Sequence, residues 1–427
     1  MNRFFAPIIA IVLCTAGCAH FSPKPLDAGA SASRISNRRL AGRTWTLKAL
    51  VDEAVRSHPE VALARAQYAT AKAAIRTAGE KPNPTLVLTP QLVGPFNWME
   101  GTYGVELDWT FETAGKRGKR VDVARANVNA AACRVVEASW KVRAAVRKAL
   151  LELYAAERRT SLVADAIAKQ DELLKMIDAR VKAGAVSHLE MAQPRLLLVQ
   201  LRMQQADAGK ASALARASLA ESLGMSTAGL SDAKFSFAAF EGSKGQRTSH
   251  RKAALTHRAD VLASLADYAA AEAVLRLEIA KQYPDVHFNP GYQFDAGTDK
   301  WGLGLSITLP ILNQNQGAIG EAEAKRREAA AKFDVMQTKV LAECDRAAAA
   351  ARSARVKVAT ADSLIAEQGR QFETEKRLVA AGEGDKLTLL TAEVERATTA
   401  ITRLDAIVEL QAALGAMEEA TQAPLDK

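Results

Sequence analysis

Acidic side chains and one histidine occupy alternate positions of two otherwise apolar segments in this 427-residue chain. Glu106 and Asp108 alternate with apolar residues in the first segment, and Asp285 and His287 do so in the second. Because residues two apart lie on the same face of a β-strand, each segment has one polar and one apolar face. The six histidines are scattered and form no ligand cluster, which argues against a metal site at His287. We predict that these four side chains face an aqueous lumen.

Signatures of catalysis are absent from the sequence. It contains no glycine-rich phosphate loop and no metalloprotease motif, so we predict no catalytic residue, no cofactor and no resident metal. Cys133 and Cys344 stand alone, without the paired spacing of zinc and redox sites. They are interpreted as packing residues, and a disulfide between them stays open if the geometry allows it.

Residues 1–17 have the features of an export signal, with Arg3 followed by a short apolar run. That run is too short to cross a bilayer as a helix. The small residues before Cys18 resemble a bacterial lipoprotein signal, in which the cysteine becomes the acylated first residue. Thr15 stands where such signals usually carry Leu, so ordinary cleavage nearby is the alternative. We predict a lipid-anchored N-terminal tail over 18–45, and Ala19 is compatible with an outer-membrane destination.

The chain contains an internal duplication. Residues 103–111 resemble 301–309 at an offset of 198, and the same offset pairs Gly184 with Gly382. Similarity held in register over this distance indicates two copies of one unit. We predict a first repeat over 46–225 and a second over 226–427, the latter opening with a linker or equatorial part at about 226–250.

Each repeat is predicted to begin with a helix, followed by two membrane strands. The predicted strands cover about 84–94 and 101–112 in the first repeat, and about 284–295 and 301–310 in the second. Their lengths suit a tilted membrane-crossing strand, and polar turns at 95–100 and 296–300 close each pair. Four strands cannot close a barrel without leaving unpaired edges in lipid. We therefore expect several copies of the chain to build one barrel.

Long helical hairpins follow the strands, at about 117–222 and 317–420. Residues 121–183 contain neither Pro nor Gly, which allows a helix on the order of 90–100 Å long. Gly184 and Gly382 are expected to end the ascending helices, and Ser187 and Asp385 to cap the returning ones. Pro194 is expected to kink the first returning helix. The predicted fold class is mainly α with membrane β.

The formal net charge of +9 alone would allow a nucleic-acid partner, but the export signal and the strand pattern oppose one. Basic residues are mostly interleaved with acidic ones, as on a solvated helix face. The densest cluster, Lys116, Arg117, Lys119 and Arg120, follows a predicted membrane strand. It is interpreted as contacting anionic headgroups or as simply solvated.

Residues 284–324 closely resemble the second-repeat segment of TolC-type outer-membrane efflux proteins, especially around Pro310 and Gly317. Residues 109–126 resemble a stretch found in the heavy-metal branch, the channels of cobalt–zinc–cadmium exporters. Residues 113–115 depart slightly from that stretch. The resemblance covers about 47–420.

The resemblance implies a homotrimer with a twelve-stranded barrel that continues into a twelve-helix periplasmic tunnel. It implies a passive conduit in the outer membrane, with metal cargo by branch and organic compounds as the alternative. It further implies two partners, a periplasmic adaptor protein that grips the hairpin tips and an inner-membrane pump, often proton-driven. The implied tip contacts are Arg180, Gly184, Ser187, Arg377, Leu378, Gly382 and Asp385.

Family channels narrow at the periplasmic end through acidic residues just after the tip glycine. Carried over by spacing, the gate positions are Glu190, Gln193, Thr388 and Thr391. Only Glu190 is acidic, and three copies around an axis would form a ring of charge that favours cations. A solvated helix glutamate is the alternative.

Two other classes of protein share some of these features. A periplasmic adaptor also has long hairpins, but it should carry one hairpin with β-rich flanking domains. A structural coiled-coil lipoprotein would lack the alternating strands.

Overall fold

The computed structural model describes residues 20–40, 42–91, 101–241 and 251–424. The predicted signal at 1–17, the predicted lipidation site Cys18, the end of the first predicted strand with its turn, and the last part of the predicted linker (242–250) lie outside these residues.

The described helices follow one another in two similar series. They are α1 (Ala28–Ser36), α2 (Leu47–Ser57), α3 (Pro59–Ala78), α4 (Lys116–Lys182), α5 (Ala192–Ser222), α6 (Ala238–Glu241), α7 (Arg251–His257), α8 (Ala259–Ala280), α9 (Gln316–Ala380) and α10 (Lys386–Thr421). Short 3₁₀ turns occupy His188–Met191 and Thr227–Leu230.

Helices α4 and α9 are the longest of the described helices, each about 100 Å at 1.5 Å per residue. Each begins after a residue with positive φ, Gly115 and Asn315 respectively. Alanine and unbranched side chains favour such helices. Their small side chains also let neighbouring helices approach closely.

The long helices lie side by side in one layer. In the half of the layer away from the sheet, the helices lie in the order α5, α4, α10, α9. In the half next to the sheet, the order is α3, α4, α8, α9. The end of α5 abuts the start of α3, where Gly224 lies against Pro59. The end of α10 likewise abuts the start of α8, where the backbone N–H of Ala259 donates to Gln422 Oε1 at 2.7 Å. The outer edges of the layer are therefore α5 with α3 on one side and α9 on the other.

Four strands form one antiparallel sheet in the order β2, β3, β5, β6. They are β2 (Thr85–Gln91), β3 (Thr102–Phe111), β5 (Val286–Asp295) and β6 (Thr298–Ile307). The last strand begins at Thr298 instead of the predicted 301. The reason is a two-residue turn, Ala296–Gly297, in which both residues have positive φ and Asp295 pairs with Thr298.

The register divides the sheet into an apolar and a polar face. Cross-strand pairs such as Tyr103 with Phe294 and Tyr292 with Trp301 lie on the apolar face, where their rings are 6.3 and 4.9 Å apart. Trp301 and Leu303 on this face are 83% and 80% exposed in the single chain. The sheet thus presents a wide apolar surface that the described residues leave uncovered.

The main hydrophobic core lies at mid-height, where the N-terminal tail docks. Leu40 and Trp45 of the tail are buried there against α2 and α4. A parallel pair, β1 (Thr44–Trp45) with β4 (Lys234–Phe235), joins the tail to the segment between the repeats. This equatorial region ties both repeats together.

The fold class is confirmed as mainly helical, with one four-stranded sheet and two long helical hairpins. None of the helices in the described ranges is apolar enough over a sufficient length to cross a membrane. The expected kink at Pro194 was wrong. Pro194 falls in the first turn of α5, where a missing N–H is tolerated, because the 3₁₀ turn delays the start of that helix.

Candidate functional site: the polar sheet face and the hairpin tips

The polar face of the sheet brings together residues that the sequence separates widely. His287 lies opposite Thr110, and its Nδ1 is 3.1 Å from Asp108 Oδ1 and 3.2 Å from Thr110 Oγ1. Glu106 lies on the same face, opposite Gly291. Alternation along the strands therefore placed Glu106, Asp108 and His287 on one surface, although a lumen requires further copies and stays a prediction.

Asp285 has a different setting from the other three. It lies just before β5, where its Oδ1 accepts from Lys116 Nζ at 2.7 Å and from the backbone N–H of Thr113 at 2.9 Å. Lys116 is buried. Asp285 therefore fixes the start of α4 to the sheet, and a lumen-facing role for it stays a prediction.

Arg117 and Arg120 of the basic cluster cap the C-terminal end of α3. Arg117 Nε donates to Gly79 O at 2.6 Å, and Arg120 donates to Ala78 O and Glu80 O at 3.3 and 3.0 Å. These carbonyls end a helix and have no partner within it. Arg120 also forms an ion pair with Glu112. Neither headgroup contact nor simple solvation accounts for Lys116 and Arg120.

The two hairpin tips share one backbone motif. Gly184 and Gly382 have φ of 73° and 77°. At the first tip Gly184 N–H donates to Val181 O and Ala185 N–H to Arg180 O, which is the Schellman arrangement. The second tip repeats both bonds at the equivalent positions. The predicted helix stops at the two glycines are confirmed.

The predicted N-caps are also confirmed. Ser187 Oγ accepts from Leu189 N–H at 3.2 Å and begins the 3₁₀ turn that precedes α5. Asp385 Oδ1 accepts from Leu387 N–H at 3.0 Å and caps α10.

Arg180 and Asp385 join the tips to each other. The Arg180 guanidinium forms a two-pronged ion pair with the Asp385 carboxylate, with one contact at 2.9 Å. The hydrogen bond from Arg180, assisted by the backbone N–H of Leu387, holds the pKa of Asp385 below its usual range. Asp385 thereby raises the pKa of Arg180. The two tips are thus connected by a charged contact as well as by apolar packing of Leu173, Ile177, Met191 and Leu390.

The predicted gate residues are all exposed. Glu190 lies in the 3₁₀ turn, Gln193 at the start of α5, and Thr388 and Thr391 in the first turns of α10. Among the tip positions, Arg377 Nε bonds Glu373 O within α9 and Leu378 is 37% exposed. Sequence reasoning missed Leu189, which the 3₁₀ turn leaves 80% exposed beside Glu190. A gate would form between several copies of the chain, so the gate role of these residues stays a prediction.

A buried ion cluster at the junction of α8 and α10 was also missed. Arg258 is 6% exposed and donates to Asp260 at 2.6 and 3.0 Å, to Glu343 Oε2 at 2.8 Å and to Ala420 O at 2.9 Å. Burial by itself would raise the pKa of Asp260, but the bonds from Arg258 outweigh it and the pKa lies below its usual range. Arg258 joins three helices, and no local spacing signals such a cluster.

Cys133 and Cys344 are both free thiols, so the disulfide alternative is excluded. Cys344 is buried and its Sγ lies 3.4 Å from Ala420 O. Within the described ranges, no three His, Cys, Asp or Glu side chains converge in a group able to hold a metal ion.

Large apolar side chains are exposed on the edge helices. On α5, Leu196, Val199 and Met203 are 56%, 55% and 64% exposed, at a spacing that places them on one helix face. On α9, Val335 and Val356 are 69% and 68% exposed. The α5 edge of the layer therefore offers an apolar stripe to a neighbour, and the α9 edge offers two separate exposed valines.

Comparison with known proteins gives consistent results. The family model described as outer membrane efflux protein matches residues 50–225 and 251–421. The cobalt-zinc-cadmium resistance protein CzcC of Cupriavidus metallidurans is 24% identical over 325 residues, 75% of this chain and 76% of that protein. The nickel-cobalt-cadmium resistance protein NccC of Alcaligenes xylosoxydans xylosoxydans is 26% identical over 59% of this chain and 55% of its own length.

Solved structures show the same fold. The outer-membrane channel OprN superposes with a TM-score of 0.74 at 18% identity, covering 97% of this chain and 100% of that one. CusC gives a TM-score of 0.72 at 18% identity, covering 95% of this chain and 99% of its own.

Proposed function

Because this chain belongs to the outer membrane efflux protein family, we propose that it forms a homotrimeric channel anchored in the outer membrane through an acylated Cys18. The channel conducts cargo outward from the periplasm. A periplasmic adaptor protein binds its hairpin tips, and an inner-membrane pump, proton-driven in this proposal, supplies the cargo.

The unpaired edges of the single chain carry this proposal. Strands β2 and β6 each have one neighbour within the described sheet, so each leaves a row of backbone N–H and C=O groups open. Such edges are not tolerated in lipid, whereas pairing β6 of one copy with β2 of the next removes them. The ten-residue strands β3, β5 and β6 have the length of a tilted membrane strand.

The helical layer supports the same closure. Its exposed apolar stripe lies on α5, and the separate exposed Val335 and Val356 lie on α9, the helix that would meet α5 of a neighbouring copy. An exposed apolar stripe of this kind marks an interaction surface. One ring of copies thus pairs the strands and covers the stripe together.

Closure with the apolar face outward puts the polar face inside. Glu106, Asp108 and His287 then line the barrel, and a conduit needs such a wet interior. At the other end, Glu190 of each copy would contribute to a ring of charge near the closed tip, which favours cations.

The proposed cargo is divalent metal ions. The support is the matched relatives, whose names record resistance to cobalt, zinc and cadmium and to nickel, cobalt and cadmium. An acidic lumen and an acidic gate position suit cationic cargo.

Intracellular metal content of a strain lacking the gene tests the cargo. Raised cobalt, zinc, cadmium, nickel or copper, restored to normal by the wild-type gene and not by an empty vector, is the expected result. Normal metal content combined with sensitivity to dyes or antibiotics would overturn metal cargo and move the channel to organic compounds.

A further inference from the structure

The contacts of His287 carry a further inference, which rests on the proposed function because it places the polar face in a conduit. The His287 and Asp108 side chains are 32% and 31% exposed, so both border solvent even in the single chain. Thr110 lies directly opposite His287 on β3, and Ser306 lies opposite it on β6. The imidazole therefore stands between two hydroxyls, with one carboxylate at hydrogen-bond distance.

The Asp108 contact determines which ring nitrogen is free. An ionised carboxylate only accepts hydrogen bonds, so a neutral imidazole facing it carries its proton on Nδ1. The lone pair is then on Nε2, which forms no hydrogen bond within the described part of the chain. A carboxylate that holds one ring nitrogen and leaves the other free is the arrangement that orients histidines towards metal ions.

We propose that His287, oriented by Asp108, is a transient binding point for borderline divalent cations such as Ni²⁺, Co²⁺ and Zn²⁺ on the wall of the conduit. Imidazole nitrogen prefers these ions, whereas Mg²⁺ prefers oxygen ligands. One imidazole per copy binds weakly, and transit requires sites that the ion can leave. Asp108 is a positioning residue in this scheme.

Channel recordings test the proposal with a matched control in the same chain. His257 also contacts a threonine hydroxyl, at 2.7 Å from Thr256, but lies on α7 away from the sheet. Untagged protein in a planar bilayer should show reversible current reduction by Ni²⁺ and none by equal Mg²⁺. His287→Asn should need at least about tenfold more Ni²⁺ for the same reduction, and Asp108→Ala about tenfold more, as is typical when the orienting group is lost. His257→Asn should behave as wild type.

A second measurement needs neither conductance nor a variant. Diethylpyrocarbonate modifies unprotonated imidazole, and peptide mass spectrometry follows each histidine of the purified full-length protein separately. Ni²⁺ should slow modification of His287 several-fold and leave His257 unchanged, and Mg²⁺ should slow neither.

The outcomes separate this inference from the proposed function. The wild-type protein could conduct while Ni²⁺ changes neither the current nor the modification rate of His287. That result would contradict metal binding at His287 and leave the proposed channel function unaffected. Equal sensitivity of His287→Asn and wild type to Ni²⁺ would also contradict metal binding at His287. A folded protein that never conducts would contradict the channel itself, while the modification experiment would still decide for or against metal binding at His287.

Discussion

Asp385 performs two structural roles at the start of α10. It caps the helix through Leu387 N–H, and it holds Arg180 of the other hairpin. Asp385→Ala removes both contacts, and loss of the cap alone costs about 1 kcal/mol of local stability. Hydrogen exchange followed by mass spectrometry should show faster exchange at 386–389.

Asp385→Asn is the matched control, because Asn caps helices as well as Asp does but carries no charge. It should lose only the part of the protection at 386–389 that the ion pair with Arg180 supplies, and so exchange more slowly than Asp385→Ala. Equal acceleration in both variants would mean that the ion pair, and not the cap, holds this turn.

The tip contact should depend on pH in a defined direction. The folded-state pKa of Asp385 lies below the ordinary value for Asp of about 3.9. The stabilisation that the Asp385 carboxylate provides is therefore complete above the ordinary value and is lost as pH falls through the lower, folded-state pKa. Protection at 386–389, corrected for intrinsic exchange, should persist at pH 5 and decline only below about pH 4. Asp385→Asn should show no such decline, and a decline already near pH 6 would contradict the assignment.

Sequence alone identified the tip residues whose roles are local. A glycine followed three residues later by Ser or Asp indicates a helix end and a helix start, because both signals depend on backbone angles nearby. The partner of Arg180 could not be foreseen, since Asp385 is 205 residues away and only the packed hairpins bring them together. The orientation of His287 depends in the same way on a strand 179 residues earlier.

Replacing Gly by Ala should lower the stability at a helix end and raise it inside a helix. A Cβ at Gly184 meets nothing within 4 Å, so Gly184→Ala is limited by its φ of +73° and should destabilise by about 1–2 kcal/mol. Gly209 lies inside α5, also in open space, so Gly209→Ala should stabilise by up to about 1 kcal/mol. Thermal unfolding of both variants checks this, and shifts of the same sign would contradict it.

The junction of α8, α9 and α10 should depend on Arg258. Arg258→Met leaves Asp260 and Glu343 without their buried counter-charge and should cost about 3–5 kcal/mol in denaturant unfolding. Arg134→Met removes an exposed pair with Asp267 and should cost no more than about 1 kcal/mol. Similar losses in the two variants would show that the buried cluster has no special weight.

Helices and strands were predictable where the sequence carried one clear hydrophobic period or one clear helix-breaking residue. The alternation along β3 and β5 and the run without Pro or Gly in α4 are signals of this kind. The start of β6 was missed because Ala296–Gly297 forms a tighter turn than the polar residues around it suggest. The position of Pro194 was misjudged because a 3₁₀ turn, which has no clear periodic signal, precedes α5.

At the scale of the whole molecule, one chain is incomplete in two ways. Its sheet has open edges at β2 and β6, and its helical layer has exposed apolar side chains at the edge helices α5 and α9. The need for further copies followed from the strand count alone, since four strands cannot close in lipid. The strand count does not give the number of copies. The prediction of three copies rests on the family resemblance.

The native mass of the particle extracted from the outer-membrane fraction tests this account most directly. Native mass spectrometry in mild detergent should find a single species with three times the mass of the processed chain. A stable, folded monomer would contradict closure between copies, because its strand edges would then be unpaired in the membrane. A closed ring of another size would retain the channel and reject the trimer.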